Sequence, residues 1–167
     1  SILMPSIYQG ENGQQQLAPG AQVGIANLKD TARINSYFEK PEIASQIPAN
    51  LKLMWAVKPE QSNPNFLALY AIRLASGETG SILTGDVITN ASDDFDPQTN
   101  SPVVSMSMNT TGAREWRRIT AKAAQGREAI AIVLDGVVYS APSVNQEIPN
   151  GSSVISGNFT IEDTKDL

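Results

Sequence analysis

Apolar and polar positions alternate along this chain in short runs, and the runs fall into two groups. "AQVGIAN" (Ala21 to Asn27) reads as a short apolar strand. "DTARINSYFEK" (Asp30 to Lys40) puts Ile34, Tyr37 and Phe38 at helical spacing, behind a capping Asp30 and before Pro41. "NLKLMWAVK" and "NFLALYAIRLA", separated by the Pro and Asn residues of "PEQSNPN", predict a hairpin. In its first strand Leu51, Leu53, Trp55 and Val57 share a face. In its second, Phe66, Ala68, Tyr70, Ile72 and Leu74 share one face while Leu67, Leu69 and Ala71 make the other apolar too, so this strand requires cover on both sides.

The second group begins after a seam, "ASGETGS" (Ala75 to Ser81), and a turn-rich acidic stretch, "LTGDVITNASDDFDPQTN". "PVVSMSMN" alternates, with Val104, Met106 and Met108 on one face. "TTGAREWRRITAKAAQG" predicts a helix whose Ala113, Trp116, Ile119, Thr120 and Ala123 line one side, with Arg114, Arg117, Arg118 and Lys122 turned mostly away and Gly126 as its stop. "AIAIVLDGVVYSAP" then gives two strands around Asp135-Gly136, a pair suited to a type I′ turn because both central positions need positive φ. A short strand around "SSVISG" follows, and Thr160 with Asp163 resembles a capping box at the start of a last helix. The order of elements predicts an α+β fold, mainly antiparallel, with two to three helices packed on one face. Residues 1–20, whose "QGENGQQQLAPG" is rich in Gln, Gly and Pro, read as a flexible lead. Residues 21–167 read as one body or as two lobes, 21–80 and 81–167.

Composition narrows what such a fold can do. Of 167 residues, 41% are hydrophobic and 17% charged, enough for a real core. Twelve Lys and Arg against seventeen Asp and Glu give a net charge of -5, which disfavours nucleic acid and anionic membrane surfaces as partners. The chain has no Cys and no His, which excludes disulfides, thiolate metal sites and every Ser-His or Cys-His nucleophile pair. An enzyme here would run on carboxylates, Lys, Tyr or a metal held by oxygen. No run approaches the ~18 apolar residues of a membrane helix, and without an initial Met or signal-like segment the chain reads as a soluble piece of a larger protein.

Each candidate for chemistry has a simpler explanation. Asp93, Asp94 and Asp96 lack the Gly and distal Glu of an EF-hand loop and read as a solvated acidic loop. Asp135 has no titratable partner nearby and reads as a turn, and Ser140 has no base to activate it. Arg114, Arg118 and Lys122, spaced for one helix face, read as solvated. Met54, Trp55 and Tyr70 suit either a core or a peptide groove. The sequons at Asn90, Asn109, Asn150 and Asn158 fall mostly where turns and caps explain them. These readings leave no catalytic, cofactor or metal residues to assign.

"GDVITNA", "VSMSMNTTGAREWRRIT", "AIAIVLDGVVYSAPSVNQEI" and "ISGNFTIEDTKDL" occur in the order and near the spacing seen in SecD, and together cover about half the chain. The chain therefore resembles the SecD family, fused SecDF proteins included, and "ANLKLMWAVKP" looks like the more variable part of the same extracytoplasmic region. The resemblance implies the head subdomain of the first extracytoplasmic (P1) domain, since the family's Asp-Leu-Lys-Gly-Gly-type and Gly-x-Leu-Pro-Ala-Pro-type base segments are absent here. It implies a non-enzymatic, cofactor-free module on the outer side of the bacterial inner membrane. Such a module contacts unfolded preprotein during export assisted by the proton motive force, and meets SecF, the SecYEG channel and the membrane only through the rest of the protein. Reversible contact with many sequences suits exposed apolar side chains, so the two-sided strand nominates Met54, Trp55, Leu67 and Leu69 as the preprotein-contact surface. The competing expectations are a carboxylate or metal-dependent hydrolase, with an acidic cleft, and a passive docking domain, with a flat apolar patch and no groove.

Overall fold

The computed structural model describes residues 2–9, 13–18, 20–60, 62–74, 80–156 and 159–166. The chain runs through strands β1 (Leu3–Pro5), β2 (Ile7–Gln9), β3 (Gln15–Leu17) and β4 (Gln22–Asn27), helices α1 (Thr31–Phe38) and α2 (Pro41–Ala44), and strands β5 (Leu51–Glu60) and β6 (Asn63–Arg73). Then come β7 (Ile88–Phe95), β8 (Pro102–Met108), α3 (Thr110–Gly126), β9 (Ile132–Leu134), β10 (Val137–Ser140), β11 (Ser152–Ser156) and α4 (Ile161–Asp166). This is an α+β fold with mainly antiparallel sheets. It forms two compact units, one of Ser1–Gly80 with Ala131–Tyr139, the other of Ser81–Ile130 with Ser140–Leu167. Most of the seam, residues 75–79, lies outside the described residues, as do residues 1, 10–12 and 19 of the lead.

The first unit is built on a six-stranded sheet in the order β1-β4-β6-β5-β10-β9, and β2 pairs with β3 beside it. Ala68 and Leu69, neighbours that point to opposite faces, are 3% and 1% exposed, so the centre of β6 is covered on both sides as its two-sided pattern requires. Trp55 sits opposite Leu69 and Met54 opposite Tyr70, which sends Trp55 and Met54 to opposite faces. Pairing shifts register between Trp55 and Pro59, because Pro has no N–H to give a ladder. The helix begins differently from its sequence reading. Asp30 is already helical and makes no side-chain cap; the capping oxygen belongs to Asn27, which accepts from Lys29 N at 3.2 Å at the head of a single 3₁₀ turn, Leu28–Asp30. Pro41 ends α1 by opening α2, where its missing N–H costs nothing.

The Asp135-Gly136 turn has the expected geometry, with φ of 47° and 79°. Its hairpin does not stay with its sequence neighbours: Val138 pairs in parallel with Ala56, which adds β10 and β9 to the first unit's sheet and leaves Val138 2% exposed.

The second unit has a three-stranded antiparallel sheet, β11-β8-β7. Val103 and Val104, each 2% exposed, bury both faces of β8. The helix α3 starts where Asn109 Oδ1 accepts from Gly112 N at 2.8 Å, and buries Gly112, Thr120 and Ala123 while Arg114, Arg117, Arg118 and Lys122 stay exposed. Its end corrects the sequence reading: the left-handed residue is Arg127, at φ 51°, not Gly126, which is still helical. The acidic stretch is also corrected. Asp93 and Asp94 lie on an edge strand rather than in a loop, and charge on such an edge discourages pairing with another chain.

Candidate functional site

In the first unit a groove of ≈ 350 Å³ lies beside the face of β5 that carries Leu51, Leu53 and Trp55. One wall is the last turn of α1. Positions i, i+3 and i+4 bring Asn35, Phe38 and Glu39 to one side of the helix, and all three line the groove. Ile47, just after α2, continues the wall. Opposite stand Met54 and Trp55 of β5, with Gly136 and Val137 from the β9–β10 hairpin closing the end. The Trp55 indole N–H donates to Asn35 Oδ1 at 2.8 Å, which ties helix to strand and fixes the ring across the groove. The space lies near the low end of the ~300–1,000 Å³ of small-molecule sites, and its walls offer apolar surface with one amide and one carboxylate.

On the outer side of α1, Arg33 Nη2 donates to Tyr37 Oη at 3.4 Å, and the Lys40 ammonium lies 4.8 Å from the centre of the Tyr37 ring. The Arg33 hydrogen bond and charge hold the Tyr37 phenol below its ordinary pKa. On the opposite face of the sheet, burial pushes the Tyr70 phenol up, and nearby Glu60 adds to the rise.

The four contact residues nominated from sequence do not form one surface. Met54 and Trp55 line the groove, Leu69 is 1% exposed across the ladder from Trp55, and Leu67 lies farther along β6 opposite Pro59. Asn35, Phe38, Glu39 and Val137 were not legible as groove residues, because the pattern of a helix or strand reveals its buried face but not the partner it meets.

The remaining candidates resolve into local structure. Asp96 Oδ1 accepts from the Gln98 and Thr99 N–H groups, each at 2.8 Å, and these bonds hold its carboxyl below the usual aspartate range. Asp94 accepts from Phe95 N at 2.8 Å. Among the described residues no three His, Cys, Asp or Glu side chains come together as metal ligands would. Asp135 is exposed in its turn, and Ser140 Oγ donates to Ser156 O at 3.4 Å. Arg117 and Arg118 pair with Glu147 and Glu115. Asn109 caps α3 and Asn150 accepts from Ser152 N at 3.3 Å, whereas Asn158 lies outside the described residues.

Residues 71–167 match the family model described as the SecDF P1 head subdomain. The protein translocase subunit SecD of Rhodothermus marinus is 39% identical over 153 residues, 92% of this chain and 24% of that protein. Its counterpart in Magnetococcus marinus is 29% identical over 166 residues, 99% of this chain and 29% of that protein. A solved structure of SecDF, described as a membrane component that enhances protein export, aligns over 97% of this chain and 74% of that one, at 22% identity and a TM-score of 0.47. The chain thus spans less than a third of the length of these two curated relatives.

Proposed function

The chain belongs to the SecDF family, with residues 71–167 matching its P1 head subdomain, and from this premise we propose that it is a non-enzymatic module that holds emerging preprotein on the extracytoplasmic side of the bacterial inner membrane. In this reading it works within a longer protein that joins SecF and the SecYEG channel and draws on the proton motive force. The groove beside β5 carries the proposal. A passive docking domain would need a flat apolar patch, whereas this surface is a concave strip walled by Phe38, Leu53 and Trp55 and open to solvent, a shape that takes one or two apolar side chains from a passing chain. Trp55 makes the contact directly, Met54 borders the groove with its side chain on the other face of the sheet, and Leu69 with Leu67 supports the strand from within the sheet.

A photocrosslinking amino acid placed at Leu53 of the full-length protein, with a translocating preprotein stalled in the channel, tests the proposal. Crosslinks are expected from Leu53 and not from Arg114 on α3. Equal yields at the two positions would end the groove reading.

A further inference from the structure

We infer that the groove is selective among extended segments: it prefers an apolar side chain flanked by Lys or Arg, with Asn35 holding the backbone of the bound chain and Glu39 its cation. The inference rests on the reading of the groove as a preprotein contact and names the class of segment it takes.

Three observations lead to it. The first is the orientation of the Asn35 amide. An indole N–H is a donor only, so the 2.8 Å contact with Trp55 assigns Oδ1 to the acceptor and leaves the Asn35 NH₂ with two N–H groups. They meet no acceptor among the described residues, and because Asn35 is exposed they are open to solvent, and to a bound chain, at the rim of the groove. A backbone carbonyl of an extended chain is the acceptor that every polypeptide supplies. The second is the sign of the charge. Glu39 is the one charged side chain among those that line the groove, and no cation pairs with it among the described residues. The nearest basic neighbour in sequence, Lys40, is turned onto the Tyr37 ring. The third is where that charge stands. Glu39 is the C-cap of α1, the end at which the helix carbonyls disfavour an anion and favour a cation. Helix stability alone would place Lys there, so the acid is better understood through what it faces. Asn35 and Glu39 stand one helical turn apart with Phe38 between them, which matches an apolar side chain in the groove, its carbonyl on Asn35 and a neighbouring cation on Glu39.

The test uses three fluorescent ten-residue peptides in a Gly-Ser-Thr background, with Leu-Lys, Leu-Ser or Leu-Glu at the centre, and the 167-residue chain as wild type, Glu39→Gln, Glu39→Lys and Asn35→Ala. Affinity is read by anisotropy. Site is read by the indole N–H resonances, where Trp55 reports the groove and Trp116 is the internal control, and far-UV circular dichroism checks each variant's fold. The Leu-Lys peptide is expected to bind about three- to five-fold tighter than Leu-Glu, the scale of one exposed ion pair, with the ratio falling toward one in 0.5 M salt. Glu39→Gln should abolish the preference and Glu39→Lys reverse it. Asn35→Ala should weaken all three peptides alike. If all peptides shift the Trp55 resonance with equal affinity in wild type and Glu39→Lys, the selectivity is wrong and the groove stands. If no peptide shifts it, the groove reading falls and the selectivity with it.

Discussion

Thr120 is 0% exposed, yet its hydroxyl is fully used. Oγ1 donates to Trp116 O at 2.7 Å, as a Thr in mid-helix often does, and accepts from Ile148 N at 2.9 Å, so one side chain fixes the segment before β11 against α3. Thr120→Val keeps the volume but strands the Ile148 N–H without a partner, and is expected to cost about 1–3 kcal/mol in urea unfolding. Thr120→Ser, which keeps the acceptor, should cost clearly less; equal losses would mean that shape rather than the hydrogen bond matters. Asp96 acts by charge. Two backbone N–H groups stabilise its carboxylate, so its pKa is lower folded than unfolded. Its contribution to stability is present above the unfolded value and is lost as pH falls through the folded one. A carboxyl-carbon NMR titration should place the Asp96 midpoint below the ordinary aspartate value, and Asp96→Asn should flatten the acid limb of the stability profile. A midpoint at or above the ordinary aspartate value would remove the cause assigned to it.

Elements differ in how openly the sequence announces them. The α3 helix carried its own signals, Asn109 before it and a 3.6-residue apolar face along it, and Asp135-Gly136 announced a turn that needs two positive φ angles. Local chemistry decided both. The strand β7 was missed because an edge strand with every residue from Thr89 to Phe95 exposed has no apolar alternation to read. The candidate site was legible only in part for a related reason. Trp55 stood out on its strand, but its hydrogen-bond partner Asn35 is twenty positions away and only the packing of α1 beside β5 joins them. The turn itself gives a clean measurement. A Cβ on Gly136 would meet nothing within 4 Å, so Gly136→Ala changes only backbone freedom at φ 79°. The expected loss is about 1–2 kcal/mol, read by chemical unfolding, and Asp135→Asn should be close to neutral because Asn tolerates the same region. A neutral Gly136→Ala would contradict the left-handed geometry.

For the molecule as a whole, the order of the chain and the order of the sheets disagree. The segment from Ala131 to Tyr139 lies, in sequence, inside the second unit but supplies two strands of the first unit's six-stranded sheet. Without it β5, ten residues long, would have an open edge beside Ala56. A fragment of residues 1–80 therefore lacks its own edge protection, although it contains β1, β4, β5 and β6 and the residues of α1 and α2. Long unguarded edges pair with other copies, and the fragment also loses the burial of Val138, 2% exposed in the intact chain. Fragment 1–80 is expected to self-associate in size-exclusion chromatography and to unfold at lower urea than the intact chain. Joining residues 131–139 to it through a flexible linker should restore a monomer and return part of the lost stability, and Asp135→Pro in that joined fragment, which cannot adopt positive φ, should cancel the rescue. A fragment 1–80 that is monomeric and as stable as the linked form would show that the returning hairpin is an ornament on the sheet; rescue that depends on the turn would show that the first unit is completed only once the chain has come back to it.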